Sequence, residues 1–323
     1  MHSFMFFSVV VPTYNRLPIL QKCLQAIAHQ QFPQNSIVKG YEVIVVDDGS
    51  TDDTWDWLAA NAARFPHIKR FRQENSGPAA ARNLGLERAI GDTIVFIDSD
   101  LVVTDTFLQS HAEGLQRGQQ QLGHDRLFTY GAVINTSNFD DPTSEPYKLT
   151  DFSAAYFATG NVAIARRWLD EAGPFDTRFR QYGWEDLELG VRLKKLGVKL
   201  VKCPEAAGYH WNPPFSLDRL PAAIDREIQR ARTGVLFYQK HPTWEVRLMV
   251  QMTPLHWLLW GILSLGGRLN ERTLAGLLQQ SIDRGQHRLA SEISRIFLNW
   301  YNVKAVYAAY NEAKQAGSAF GVK

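Results

Sequence analysis

The sequence predicts an α/β protein built on a doubly wound, mostly parallel sheet flanked by helices, followed by a C-terminal helical extension. Three observations carry this prediction. Residues 6–12, 41–48 and 93–98 are short runs rich in Val, Ile and Phe that are apolar on both faces, the pattern of strands covered by helices on each side. Stretches 17–31, 52–64 and 77–90 between them have helical spacing, so strands and helices alternate. After the break at Pro213-Pro214 the pattern is mostly helical.

Taken in order, residues 1–7 run straight into the first strand with no basic leader region and no small-residue cleavage site, so they are read as strand and not as a signal peptide. That strand ends in Pro12-Thr13-Tyr14-Asn15, the second in Asp47-Asp48-Gly49-Ser50, the third in Asp98-Ser99-Asp100. The helix at 52–64 opens on Ser50-Thr51-Asp52-Asp53, a good N-terminal signature. The helix at 77–90 follows the sharp turn Asn75-Ser76-Gly77-Pro78, and its alanines and Gly85 permit close approach to the sheet. Residues 152–168, through Ala158-Thr159-Gly160-Asn161, read as a turn between a strand and a further strand or helix. Gly183-Trp184-Glu185-Asp186 opens an amphipathic helix running to Lys195. Residues 270–316 read as paired amphipathic helices, with Leu274, Leu277, Leu278 and Ile282 facing inward on one and Ile293, Ile296, Phe297 and Trp300 on the other. The expected division is 1–224, with halves of about 1–100 and about 101–224, then a helical extension at 225–323.

Composition narrows the function. At 323 residues and 45% hydrophobic, the chain is too apolar for a disordered protein and long enough for a substantial core. Its net charge of +2 hides an asymmetry: residues 225–323 hold 13 Lys and Arg against 7 Asp and Glu, leaving 22 against 26 in residues 1–224. The large front section has no concentrated basic stripe, so no nucleic-acid partner is expected. Two distant cysteines, Cys23 and Cys203, make neither a disulfide framework nor a metal cluster and suit a reducing compartment. No glycine-rich phosphate loop follows the first strand, which disfavours a dinucleotide-binding dehydrogenase and a P-loop enzyme.

In doubly wound sheets ligands sit at the carboxyl ends of the strands, so three polar or acidic strand ends converge on one edge. Asp98 and Asp100, spaced by one residue, can hold a hard divalent cation with room left for phosphate oxygens; an isolated pair of this kind also serves as a turn or helix cap. A carboxylate of Asp47-Asp48 can accept from a uracil N–H or a ribose hydroxyl, or can simply close a turn. The Tyr14 ring can pack or line a base pocket. Arg82, in an otherwise apolar small-residue helix, is less easily explained by packing and can grip a diphosphate bidentately. The Glu185-Asp186 pair can complement the helix dipole or take a proton from an acceptor hydroxyl; Gly183 and Trp184 alongside suit close backbone approach and sugar stacking. His210, beside aromatics, is either packed or a ligand. Glu205, Asp140 and Asp141 are read as solvated loop charges.

From about residue 8 to 212 these stretches, in this order and spacing, resemble a family 2 glycosyltransferase of the GT-A fold: VVVPTYNR, VIVVDDGSTDDT, NSGPAAARNLGL, FIDSD, TGNVAIARRWLDEAGPFD and YGWEDLELGVRLKKLG. The resemblance implies an inverting, metal-dependent transfer of a sugar from a nucleotide-sugar, a UDP-sugar in this reading, to an acceptor hydroxyl. It implies a nucleoside pocket at Thr13, Tyr14 and Asp48, with Pro12 and Asn15 beside it. It places Arg82 near the nucleotide, Asp98 and Ser99 near the ribose and phosphates, and Asp100 on Mn²⁺ or Mg²⁺, joined by His210. Asp186 becomes the general base, and Gly160, Asn161, Trp184 and Glu185 lie near the sugar or acceptor. The chain lacks the QxxRW motif and multiple spans of processive synthases, which favours single-sugar addition. A sugar nucleotidyltransferase and a non-catalytic nucleotide-sugar-binding scaffold at a membrane are the competing readings.

Between Arg247 and Arg268 no Asp, Glu, Lys or Arg occurs, and 248–267 is strongly apolar. A buried helix is the default reading, an interfacial helix with Trp257 and Trp260 at headgroup level the next, and a true span the last. With Arg226, Arg230, Arg232, Lys240 and Arg247 ahead of it, the segment suits an anionic cytoplasmic leaflet. The expected setting is therefore cytoplasmic, with peripheral contact to the inner face of a membrane left open together with oligomeric state; the expected partners are a nucleotide-sugar and a glycan or lipid-linked acceptor.

Overall fold

The computed structural model describes residues 4–153 and 155–315. Expectations that rest on residues 1–3, 154 or 316 fall outside the described residues. The chain divides into two compact units, one formed by Met1–Arg180 with Glu185–Pro213, the other by Gln181–Trp184 with Pro214–Lys323. The division therefore falls at Pro213-Pro214, eleven residues before the expected 224, and Gln181–Trp184 joins the second unit.

In chain order the first unit contains β1 (Met5–Thr13), α1 (Leu17–Ala28), β2 (Val38–Asp47), α2 (Thr54–Ala60), β3 (Ile68–Arg72), α3 (Pro78–Arg88), β4 (Thr93–Ile97), β5 (Leu101–Val103), α4 (Phe107–Leu122), β6 (Leu127–Thr136), β7 (Asn161–Ala165), α5 (Arg166–Ala172), α6 (Glu185–Lys195) and β8 (Lys199–Trp211). The strands form one sheet in the order β3-β2-β1-β4-β7-β6-β8-β5. The half built from β3, β2, β1 and β4 is parallel. Beyond it, β7 pairs antiparallel with both β4 and β6, β8 runs parallel to β6, and β5 runs antiparallel to β8.

Alternate residues of a strand point to opposite faces, and here both faces are covered. Phe7, Val9 and Val11 of β1 enter a core shared with Leu20, Cys23 and Leu24 of α1 and Phe107 and Leu108 of α4. Val10, between them, enters a second core with Ala79 and Ala81 of α3 and Leu189 and Leu193 of α6. The small residues of α3 have a definite purpose: a Cβ on Gly85 would stand 2.4 Å from Val10 Cγ1, so only glycine lets the helix lie this close to β1. Pro12 lies beyond the last β1–β4 pair, Val10 with Phe96, so its missing N–H removes no bond from that ladder. Cys23 and Cys203 are both buried and free.

The second unit comprises α7 (Leu220–Lys240), α8 (Trp244–Met249), α9 (Pro254–Leu263), α10 (Ala275–Asp283) and α11 (His287–Gln315). Leu220, Leu278, Ala290 and Phe297 form its buried centre. Leu278 and Phe297 thus point inward as their spacing requires, whereas Leu277 is exposed. The apolar stretch after Arg247 contradicts its default reading: α9 has no buried residue, and no described helix is long and apolar enough to cross a membrane.

Candidate active site

The ends of β4, β5 and β8 build the centre of the site. Asp98 and Asp100 lie in the short connection from β4 to β5, and the pairing of Leu101 with His210 brings the histidine alongside. Ligand atoms of Asp98, Asp100 and His210 lie within 4.8 Å of one another. His210 Nε2 is 3.3 Å from Asp100 Oδ1, and Asn212 Nδ2 meets His210 Nδ1 at 3.0 Å, fixing the ring from its far side. Burial opposes ionisation of Asp100, but His210 and Arg16 outweigh it and hold the carboxyl below its usual range. Burial likewise opposes the charge on His210, and Asp100 with Asp98 overcomes it and raises the imidazole. Asp100 Oδ1 is buried with no well-formed hydrogen bond. Two carboxylates and an imidazole converging around that oxygen fit a divalent cation, and the nitrogen donor suits Mn²⁺ at least as well as Mg²⁺. Gly160 keeps the space open, because a Cβ there would lie 3.0 Å from Asp98 Oδ2. Ser99 is buried between the two acids.

Arg82 links this cluster to α6. Its Nη2 donates to Asp98 Oδ1 at 3.2 Å and its Nη1 to Glu185 Oε1 at 2.8 Å, with both Arg82 and Glu185 buried. Desolvation works against the guanidinium charge, and Glu185, Asp98 and Asp186 together outweigh it, so Arg82 is held more firmly protonated than usual. Arg82 Nε and Glu185 Oε2 remain buried without partners. Asp186, half-buried at the start of α6, accepts from Leu187 N at 2.7 Å. Burial first, and then the negative charge of Glu185, push its carboxyl up to about 7, while Arg82 pulls the other way. A carboxylate that titrates near neutrality is matched to proton abstraction.

On the nucleoside side, Thr13 Oγ1 is buried with no partner and Tyr14 is exposed at the strand end. Asn15, at φ 50°, ties two loops together: its Oδ1 accepts from Thr51 N at 2.7 Å and its own N–H donates to Ser50 Oγ at 2.9 Å. Asp48 performs a comparable service for the approach to α3. Its Oδ1 accepts from Gln73 Nε2 at 2.7 Å and Ser76 N at 2.9 Å, and its Oδ2 accepts from Gly77 N at 2.9 Å. A carboxylate has about four acceptor positions, so one remains, on Oδ2.

Two expected sugar-side residues do not join the cluster. Asn161 is fully buried, and its side chain is consumed: Nδ2 donates to Ala132 O and Ala206 O, both at 2.9 Å, and Oδ1 lies 2.9 Å from His111 Nε2. With both amide protons committed, Oδ1 must accept, so Nε2 carries the histidine proton and Nδ1 accepts from Thr129 Oγ1 at 2.8 Å. Burial keeps His111 neutral, with a pKa lowered to about 4. Trp184 belongs to the helical unit, where its Nε1 donates to Arg230 O at 2.7 Å. Its ring stacks on Phe237 and lies under the Arg230 guanidinium, so it has no open face for a sugar. Glu185, expected near the acceptor, is instead the buried counter-charge of Arg82. Arg16 is a site residue that motif reading leaves without a role; its guanidinium pairs directly with Asp100. Its position at the end of the first-strand motif was the available signal. Gln73, holding Asp48, had none.

Strand ends that gather three residues able to hold a divalent cation, beside a buried arginine and a carboxylate raised toward neutrality, have the make-up of a transferase site. The family description "Glycosyl transferase family 2" matches residues 8–173, just over half of the chain, and the chain belongs to this family. It is 29% identical over 272 residues to the chondroitin synthase of Escherichia coli and 28% identical over 280 residues to the hyaluronan synthase of Pasteurella multocida. These alignments cover 73% and 75% of this chain but 38% and 28% of those proteins. The fold matches that of the mannosyltransferase PcManGT from Pyrobaculum calidifontis, solved in complex with GDP-Man and Mn²⁺, with a TM-score of 0.57 at 19% identity, over 98% of this chain and 88% of that one.

Proposed function

We propose that the enzyme moves one sugar from a UDP-sugar to an acceptor hydroxyl with inversion, in glycan or polysaccharide synthesis. The convergence of Asp98, Asp100 and His210 with Arg82 and Asp186 on one side of the sheet carries this reading. Asp100, Asp98 and His210 would hold Mn²⁺ or Mg²⁺, which when bound neutralises charge on a departing diphosphate. Thr13 Oγ1 and the Tyr14 ring are available to the nucleoside. The single acceptor position left on Asp48 suits the one ring N–H of uracil better than the paired donors of guanine.

Asp186, ionised, takes the proton of the acceptor hydroxyl as its oxygen attacks the anomeric carbon. The bond from that carbon to the phosphate oxygen breaks, and UDP leaves with the electron pair. A single displacement of this kind inverts the anomeric configuration. Arg82, held by Glu185, keeps a fixed positive charge between the base and Asp98.

Release of UDP from a panel of UDP- and GDP-sugars, with Mn²⁺ and with EDTA added, tests the reading. Turnover of a UDP-sugar that EDTA stops is the expected result; binding without turnover of any donor would leave a scaffold in its place.

A further inference from the structure

The apolar segment of the second unit is folded, exposed and fixed. On α9, Leu255, Leu258, Leu259 and Ile262 follow helical i, i+3, i+4, i+7 spacing and are between 44% and 67% exposed. Leu263 and Leu265 extend this surface, and α8 exposes Trp244 and Leu248 one turn apart. Side chains with this spacing are ordinarily the buried stripe of a helix. Here the opposite side is the one attached: Trp257 meets Trp300 and Tyr307 of α11 at ring separations of 5.0 and 5.2 Å, and Trp260 Nε1 donates to Gln251 Oε1 at 2.9 Å. Thr253 caps the helix, its Oγ1 bonding His256. A contiguous exposed apolar surface on an ordered element marks an interaction site.

Its surroundings are basic. Residues 214–323 hold 14 Lys and Arg against 8 Asp and Glu, and Arg247 and Arg268 bracket the uncharged segment. Arg268 follows the exposed Leu265 by three residues, and Arg272, its side chain 89% exposed, stands one turn further on. The ten residues of α9 span about 15 Å, half of a hydrocarbon layer, so such a helix can lie in a bilayer surface and cannot cross it.

We propose that α9 docks the enzyme on an anionic phospholipid bilayer, with the Leu255–Ile262 stripe inserted among acyl chains and the Arg268 and Arg272 that follow it beside the headgroup phosphates. Charge selects this occupant over a second copy of the chain, whose equally basic surface would be repelled. Insertion of apolar side chains combined with attraction to anionic lipid is the binding mode of interfacial helices.

The test is flotation of the full chain with phosphatidylcholine vesicles, with and without about 30 mol% phosphatidylglycerol, at about 0.1 M salt. The wild type is expected to float with the anionic vesicles and at least about tenfold less with the neutral ones. Leu258→Asp with Ile262→Asp, both solvent-facing, lowers flotation by about tenfold or more with an unchanged melting temperature. Arg268→Gln with Arg272→Gln reduces the preference for anionic lipid and leaves the neutral baseline unchanged. Absence of wild-type flotation, or flotation indifferent to the Asp substitutions, overturns the proposal. So does light scattering that shows a dimer which those substitutions dissociate. None of these readouts depends on which sugar is transferred.

Discussion

Replacing Arg82 with Met removes the charge that joins the two acidic groups of the site. The guanidinium is buried, its Nη1 2.8 Å from Glu185 and its Nη2 3.2 Å from Asp98, and Glu185 is buried as well. Asp98 is partly exposed and can be rescued by water, but Glu185 would be left as a buried charge without compensation. Breaking a buried pair in this way costs about 3–5 kcal/mol. For a unit of about 200 residues, that corresponds to a fall in Tm of roughly 6–20 °C. Arg82→Met with Glu185→Gln should recover most of the loss, because the stranded charge is gone. A second consequence appears in catalysis. Asp186 acts in its ionised form, so kcat/KM rises with pH through about 7, where burial and Glu185 place its pKa. Arg82 is the group that holds this value down, so its loss moves the acidic limb to higher pH. Melting curves and pH–rate profiles of both variants provide the assay. A loss below about 1 kcal/mol together with an unmoved acidic limb would refute the reasoning.

Other substitutions separate chemistry from architecture. Asp186→Asn should lower kcat by about 10²–10⁴-fold and leave UDP affinity nearly intact in a calorimetric titration; lost affinity would assign the residue to binding. Asn161→Ala strands His111 Nε2–H and two carbonyls, a cost of roughly 3–6 kcal/mol in urea unfolding. An unchanged unfolding midpoint with depressed kcat would return Asn161 to the sugar side. Gly160→Ala presses a methyl against Asp98 Oδ2 and should weaken Mn²⁺ affinity by about tenfold with little change in Tm, measured by titration of the ion.

The parallel half of the sheet was legible because its strands are buried on both faces and therefore unbroken in hydropathy, and its acidic ends followed from the doubly wound geometry. The antiparallel half was not. The long strand Lys199–Trp211 mixes exposed and buried residues without a clear period, and the three-residue β5 is too short to leave a pattern. Position within a motif also says nothing of direction. Gly160 and Asn161 are neighbours, yet one borders Asp98 and the other turns into the core to meet His111. Trp184 adjoins the base in sequence and is anchored on Phe237 in the structure. Hydropathy could find the segment after Arg247, but whether an apolar helix faces a core or solvent depends on its partners, and those are Trp300 and Tyr307 of a helix some 45 residues downstream.

Titration of Mn²⁺ into the protein, followed by loss of the free-ion paramagnetic resonance signal with UDP present and absent, bears most directly on whether Asp98, Asp100 and His210 form the cation-holding centre of catalysis. The wild type should take up the ion, more tightly with UDP, and Asp100→Asn should lose both uptake and turnover together. Uptake by Asp100→Asn equal to that of the wild type would contradict it.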